Sequence, residues 1–181
     1  RLLKVREWLR GQGFRQVQAL KAEIGGGIYL RVSVYQDTAA TMRVQVTFLP
    51  QANGAISVCY GVSSLATDGS RFITDNLYIP FGGFFPENWF VERRPWSRSL
   101  QALLKRHRAR LVGVDIAPFS NEPSVELNTA QHGLDQLNTE LGFLHPHAQR
   151  EDLGKFTQEG RYRVWKEIWM LNYLGRSARY L

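Results

Sequence analysis

The stretch SSLATDGSRFITDNLYIPF, residues 63–81, combines two aspartates and an asparagine with several hydroxyl side chains. Carboxylates and hydroxyls are the groups that acid–base and nucleophilic catalysis use. Asp68 is followed by Gly69, however, and Asp-Gly is a frequent two-residue hairpin loop because both residues tolerate a positive φ. The pattern therefore predicts a turn residue at Asp68 rather than a catalytic group.

Asp75 is the most unusual polar residue of this stretch. In a strand over residues 71–79 it shares parity with Ile73 and Leu77, so its carboxylate points toward the core unless a bulge shifts the register. A buried carboxylate needs a partner or a raised pKa. We favour a satisfied structural role, and keep Asp75 as a candidate for ligand binding. The candidate polar groups of a ligand pocket are Asp75, Tyr60 and Tyr78.

No motif in the sequence indicates a particular enzyme. GVSSL at Gly61 lacks the closing glycine of a serine-hydrolase elbow, and the glycines at 25–27 precede a strand rather than the lysine and helix of a phosphate-binding loop. Cys59 lies in an alternating segment, which favours a small buried thiol over a nucleophile. The His-Pro-His sequence at 145–147 has no third ligand in register. We predict no catalytic residue, no metal and no cofactor.

Aromatic and basic residues are concentrated in IPFGGFFPENWFVERRPW, residues 79–96. Three prolines and two adjacent glycines predict a long irregular connection here. Either its aromatic side chains cover an edge of the core, or they form an exposed loop that contacts a membrane interface or a partner protein. The candidate contact residues of the second interpretation are Phe84, Phe85, Trp89, Arg93 and Arg94.

A basic cluster, KRHRAR at 105–110, falls within a predicted helix over about residues 98–112, and the whole chain has a formal net charge of +7. Such a helix can bind phosphate groups without reading a base sequence, although no nucleic-acid-binding motif accompanies it. The alternative is a solvated cationic face. The candidate residues for an anionic partner are Lys105, Arg106, Arg108 and Arg110.

The elements that must position these groups form a β-rich half and an α-rich half. A short amphipathic helix begins the chain, and period-two alternation over 28–35, 42–48 and 56–62 predicts half-buried strands. With a weaker strand over 14–24 and one after Asp68, the pattern predicts a meander of about five antiparallel strands. Three helices follow, and we expect them to cover one face of the sheet. The predicted fold class is α+β.

The later helices leave two alternatives open. The second carries a heptad-like seam that fits either self-association or an ordinary core. The third, near residues 160–174, is apolar over much of its circumference, so it is either sandwiched in the core or docked on something outside the chain. The residues of the seam are Leu127, Ala130, Leu134, Leu137 and Leu141.

Composition indicates an ordinary globular domain. The length of 181 residues favours a single domain over residues 1–181. The composition, 44% hydrophobic and 22% charged, is that of an ordinary globular protein. No apolar run approaches the roughly 18 residues that span a bilayer, and a single cysteine is typical of a reducing compartment. Because the first residue is Arg1 rather than Met, we expect a fragment of a larger protein, for example the soluble part of a membrane-anchored one.

Three functions are compatible with these observations. The one we favour is a non-enzymatic accessory or interaction domain, cytoplasmic or on the cytoplasmic face of a membrane, whose partner is an unidentified protein or an anionic membrane surface. The second is an enzyme or small-ligand-binding domain with a pocket between the sheet and the 79–96 segment. The third is a sequence-independent nucleic-acid binder that uses the 105–110 helix.

Overall fold

The fold is α+β, as predicted: a short N-terminal helix, a mostly antiparallel sheet and C-terminal helices. A computed structural model describes residues 2–25, 28–51, 53–77 and 84–169. The helices are α1 (Leu2–Gly11), α2 (Leu100–Arg110), α3 (Pro123–Glu140), α4 (Arg150–Leu153) and α5 (Gln158–Trp169), with a 3₁₀ turn at His147–Gln149. The strands are β1 (Phe14–Gly25), β2 (Ile28–Asp37), β3 (Arg43–Pro50), β4 (Ile56–Ala66), β5 (Arg71–Asp75), β6 (Trp89–Arg93) and β7 (Ile116–Ala117).

The sheet has two strands more than the predicted meander. Strands β1 to β5 pair antiparallel in chain order, β6 pairs parallel with β5, and β7 pairs antiparallel with the end of β4. β6 lies inside the segment predicted to be irregular, between Pro86 and Pro95, so neither proline removes a hydrogen-bond donor from the strand itself. β7 covers residues 116–117, and a strand this short shows no alternation in the sequence.

The connection from β4 to β5 is a turn, but it is longer than the predicted two-residue loop. It spans residues 67–70, and Gly69 has a φ of 86° while Asp68 does not have a positive φ. The Asp68 carboxylate accepts a hydrogen bond from the backbone N–H of Ser70 at 2.8 Å, which closes a local Asx-type turn. The hydrogen bonds from Ser70 also lower the pKa of Asp68.

One face of the sheet, which we call the α2 face, carries the apolar core. Side chains from β3 and β4 pack there against α1 and α2, and burying each large aliphatic side chain contributes about 1.5–3 kcal/mol. Ser99 caps the N-terminus of α2 by accepting a hydrogen bond from the N–H of Ala102. The central core residues are Leu9, Val44, Val46, Tyr60, Val62, Leu103 and Leu104.

Helices contact the opposite face as well, whereas the sequence predicted helices on one face. We call this second face the α3 face. Because side chains alternate along a strand, Arg43 points away from its neighbour Val44 and reaches Glu126 of α3. In the same way Arg93 of β6 reaches Glu167 of α5. Alternating arginines resemble solvent-facing positions in a sequence, and only the docked helices show that they are buried.

Candidate functional site

His107 lies at the centre of a buried polar network on the α2 face. Its Nε2 is 2.9 Å from Oγ of Ser64, and its Nδ1 is 3.0 Å from Oγ1 of Thr74. All three residues are 0% exposed. At helical spacing His107 falls on the same side of α2 as Leu103 and Leu104. No spacing in the sequence could pair it with two hydroxyls on strands far away in the chain.

This network has the residue types of a nucleophile–base pair, but a substrate cannot reach it. A serine hydroxyl beside an imidazole becomes a nucleophile only when the reacting atom can approach it. Burial, with a smaller contribution from the charge of Arg110, lowers the pKa of His107 to about 3, so the ring is neutral and weakly basic near pH 7. The network therefore satisfies buried polar groups and holds α2 against the sheet.

Arg110, predicted to bind an anionic partner, is used inside the fold. Its guanidinium donates hydrogen bonds to the carbonyl oxygens of Ile73 and Phe90, each at 2.6 Å, and to Oγ1 of Thr74 at 2.7 Å. It thus joins the end of α2 to β5 and β6. Burial is the main cause that lowers the pKa of Arg110.

The other members of the predicted basic patch differ in whether their charged groups already bind another residue of the chain. Arg106 binds the carboxylate of Glu92 at 2.9 Å, and hydrogen bonds from Arg106 lower the pKa of Glu92. Lys105 and Arg108 are exposed. The cationic surface that α2 offers to a partner is therefore smaller than the sequence indicates.

Asp75 lies in a buried ion cluster on the α3 face and is 4% exposed. Its Oδ1 is 3.7 Å from Nε of Arg93, and Nη1 of the same arginine is 3.4 Å from Oε1 of Glu167. Burial raises the pKa of Asp75 to about 6, against the opposing effects of Arg93 and of the hydrogen bond from Leu77 N–H. One arginine therefore connects two buried carboxylates and ties α5 to the sheet.

Two of the three predicted pocket groups, Asp75 and Tyr60, lie on opposite faces of the sheet. Gly61 is the strand partner of Asp75, so the adjacent Tyr60 points to the other face of the sheet, where it joins the apolar core. Tyr78 lies outside the described residues. The structure thus places Asp75 and Tyr60 on opposite sides of one sheet.

Phe84 is half-buried and packs inside the fold rather than projecting as part of an exposed loop. Its ring lies 5.3 Å from that of Phe143, and the guanidinium of Arg163 lies 3.9 Å from its centroid. The buried amide of Asn138 accepts from the Phe84 N–H at 2.7 Å and donates to its carbonyl at 2.9 Å. This two-sided clamp holds the segment that leads into β6.

The remaining candidate contact residues of the 79–96 segment are also only partly available. Phe85 and Trp89 stack on each other at 6.0 Å and are half-buried. Arg93 is 8% exposed because it belongs to the ion cluster of Asp75. Arg94 is exposed, with Nη1 3.4 Å from a carboxylate oxygen of Glu92.

The leucine seam of α3 lies largely within the fold. Leu134 is 7% exposed, and Leu127, Ala130 and Leu137 are half-buried. Leu141 follows the end of the helix and is 49% exposed. This placement fits the interpretation of the seam as ordinary core, and self-association through it stays a prediction.

The outer face of α5 presents an exposed aromatic surface. Tyr162, Trp165 and Trp169 are 58%, 61% and 46% exposed. At about 100° per residue, the three side chains fall within about 60° of one another. The Tyr162 and Trp165 rings stack at 6.1 Å. On the same helical wheel Arg161 and Lys166 lie about 40° beyond either edge of this group.

The inner face of α5 is held by specific contacts. Gly160 is buried, and a Cβ added there would collide with the backbone carbonyl of Phe143. Glu167 pairs with Arg93, and Arg163 stacks on Phe84. Because these contacts lie opposite the aromatic side chains, they fix α5 with its aromatic face turned outward.

Within the described residues, no helix has both the length and the apolar character needed to cross a bilayer. The described residues also contain no group of three or more side chains that could hold a metal ion.

Comparisons of the chain with protein-family models, with curated proteins and with solved structures found no match.

Proposed function

We propose that the chain is a non-enzymatic interaction domain that binds an anionic membrane surface through the outer face of α5. The observation that carries this proposal is the exposed group of Tyr162, Trp165 and Trp169 with a cationic residue on each side. Tryptophan and tyrosine favour the membrane–water interface because an apolar ring and a polar atom occupy one side chain. Arginine and lysine are attracted to anionic headgroups and can extend toward them.

The orientation of α5 supports a helix that lies in the plane of the membrane. Amphipathic helices of this kind bury one face among headgroups and acyl chains while the other face stays with the protein. Here the inner face is already tied to the domain by Glu167 and Gly160. The formal net charge of +7 adds a long-range attraction to an anionic surface. We propose that this membrane surface faces the cytoplasm, because a single cysteine is typical of a reducing compartment and an excess of arginine and lysine is typical of cytoplasmic segments beside a membrane.

The placement of the reactive groups supports the non-enzymatic part of the proposal. The thiol of Cys59 is 3% exposed, and burial raises its pKa to about 11, so little thiolate forms near pH 7. His107 and Asp75 are enclosed in the two buried networks. The nucleic-acid alternative has weaker support, because Arg106 and Arg110 already bind groups of the fold.

Co-sedimentation with vesicles tests the proposal. We expect the chain to bind vesicles of phosphatidylcholine with added phosphatidylserine at physiological salt, and to bind pure phosphatidylcholine vesicles more weakly. The double variant Trp165→Ala/Trp169→Ala should weaken binding by about tenfold or more, because each indole buries apolar area in the interface. Reversing Arg161 and Lys166 to Glu should weaken it mainly at low salt.

Trp96 provides a matched control, because it is 66% exposed and lies outside α5. Trp96→Ala should bind vesicles like the unmodified chain. Absence of binding to both kinds of vesicle would exclude the proposal, and so would an equal loss in the Trp96 variant and the α5 double variant.

A further inference from the structure

A polar cleft of about 490 Å³ opens at the edge of the sheet, away from the contacts that hold α5. It lies between the first residues of β1, the end of β2, the start of β3 and the segment 119–123 that leads into α3. Its volume is within the range of about 300–1,000 Å³ that is usual for small-molecule sites. The side chains that matter for its chemistry are Arg15, Gln36, Arg43 and Glu122.

A β-bulge shapes the wall of this cleft. The pairing of β1 with β2 shifts between Gln16 and Gln18, so Val17 has no strand partner. Bulges redirect side chains and are frequent beside functional sites. Oε1 of Gln18 accepts a hydrogen bond from the Ser124 N–H at 2.8 Å, which ties β1 to the first turn of α3. The β1 side of the cleft is therefore fixed to the N-terminus of α3.

Arg43 forms a rigid part of the cleft and is 6% exposed. Its Nε donates to Oε1 of Gln36 at 2.9 Å, and its Nη2 donates to the carbonyl oxygen of Asn121. The guanidinium lies 4.2 Å from the centroid of Phe119. These contacts fix its orientation before any ligand arrives, and this reduces the entropy that binding must overcome.

The positive charge of Arg43 is only partly balanced. The nearby buried carboxylate is Glu126, and it forms a close ion pair with Arg71. Nη1 of Arg43 is 3.9 Å from Oε2 of Glu126 and has no hydrogen-bond partner among the described residues. Arg43 and the half-buried Arg71 thus share the carboxylate of Glu126, and Glu122 at the rim also acts on Arg43. With Arg15 at the rim, three arginines face two carboxylates, which leaves one positive charge in excess at the cleft. A buried charge without full compensation is costly.

We propose that this cleft binds a small anionic ligand through a phosphate or carboxylate group. Arg15, exposed at the rim, makes the direct ionic contact, and arginine matches both groups with two parallel hydrogen bonds. Oε1 of Gln36 accepts a hydrogen bond from Arg43, so Gln36 can donate to a ligand through its side-chain NH₂ group. Because Nη1 of Arg43 is enclosed by protein atoms, that residue attracts the anion through its field. Glu122, at the rim, opposes binding.

An amide NMR titration tests the site with inorganic phosphate in one arm and acetate in the other, at constant ionic strength with chloride. We expect saturable shifts confined to residues 15–17, 36, 43 and 119–122. The arm with the lower dissociation constant identifies the preferred group. Arg15→Ala should weaken binding by about three- to fivefold and Glu122→Gln should strengthen it by a similar factor, as expected for single exposed charges.

Arg31 provides the matched control, because it is an exposed arginine of β2 outside the cleft. Arg31→Ala should leave the dissociation constant unchanged. Arg43→Gln removes the fixed charge and the contact that orients Gln36, so it should weaken binding at least as much as Arg15→Ala, and it should still fold because Glu126 keeps Arg71 as its partner. Shifts that do not saturate, or that respond equally to the changes at Arg15 and Arg31, would overturn the proposal. The test at Arg15 and Glu122 stands even if the Arg43 variant is unstable, since both residues are exposed.

Discussion

Two buried groups, His107 and Asp75, should change the free energy of unfolding with pH in opposite directions, so their effects largely cancel in the unmodified chain. His107 has a pKa of about 3 in place of 6.5, so the unfolded chain binds its proton more readily. Its contribution to stability is present above pH 6.5 and is lost as the pH falls toward 3. Asp75 has a pKa of about 6 in place of 3.8, so the folded chain binds its proton more readily. Its contribution is present below pH 3.8 and is lost as the pH rises through 6.

The size of each effect follows from linkage. A difference of one bound proton changes the free energy of unfolding by about 1.4 kcal/mol per pH unit. Between pH 4 and 6, Asp75 therefore contributes a change of about 2 kcal/mol, because its two pKa values lie close to the ends of this range, and His107 contributes about 2–3 kcal/mol of opposite sign. The unmodified chain should show little net slope from this pair over that range.

Urea unfolding at pH 4, 5, 6 and 7 measures the two slopes separately. Asp75→Asn removes the contribution of Asp75, so the variant should lose about 2 kcal/mol of unfolding free energy relative to the unmodified chain as the pH falls from 6 to 4. His107→Gln should gain about 2–3 kcal/mol of unfolding free energy relative to the unmodified chain over the same fall in pH. The dependence of free energy on urea concentration should stay constant, because the surface exposed on unfolding is unchanged.

Asp115→Asn provides the control, because Asp115 is an exposed aspartate outside both networks. Its slope should match that of the unmodified chain. Three parallel curves for the unmodified chain, Asp75→Asn and His107→Gln would refute the reasoning. If His107→Gln does not fold, the slope of Asp75→Asn is sufficient to decide.

Two further predictions concern α5 and the thiol. Gly160→Ala should displace α5, because the new Cβ meets the Phe143 carbonyl, and should reduce vesicle binding while the sheet stays folded; Gly133→Ala, at an open position of α3, is the control. Circular dichroism and co-sedimentation measure both effects, and unchanged binding would contradict the role of this contact. Cys59 should resist iodoacetamide at pH 8 and react fully in urea, because burial removes both access and thiolate. Mass spectrometry checks this, and rapid labelling of the native chain would show that the strand opens.

The sequence by itself determined the fold class and much of the element order. Alternation over 28–35, 42–48 and 56–62 is local, because successive side chains of a strand point to opposite faces. The apolar stripe of α2 and the turn at Asp68 depend equally on neighbours a few residues apart. The aromatic spacing at 162, 165 and 169 could be seen in the same way, but the sequence left open whether that face lies in the core or outside it.

Only the tertiary structure decided which groups meet. His107 finds Ser64 and Thr74 across 43 and 33 residues, and Arg93 finds Glu167 across 74. Which face of the sheet a helix covers depends on strand register and docking, and neither has a local periodicity. The outer face of α5 is exposed because its inner face is held by contacts with distant segments. His107 and Asp75 are likewise buried among residues that lie far from them in the chain or in other strands.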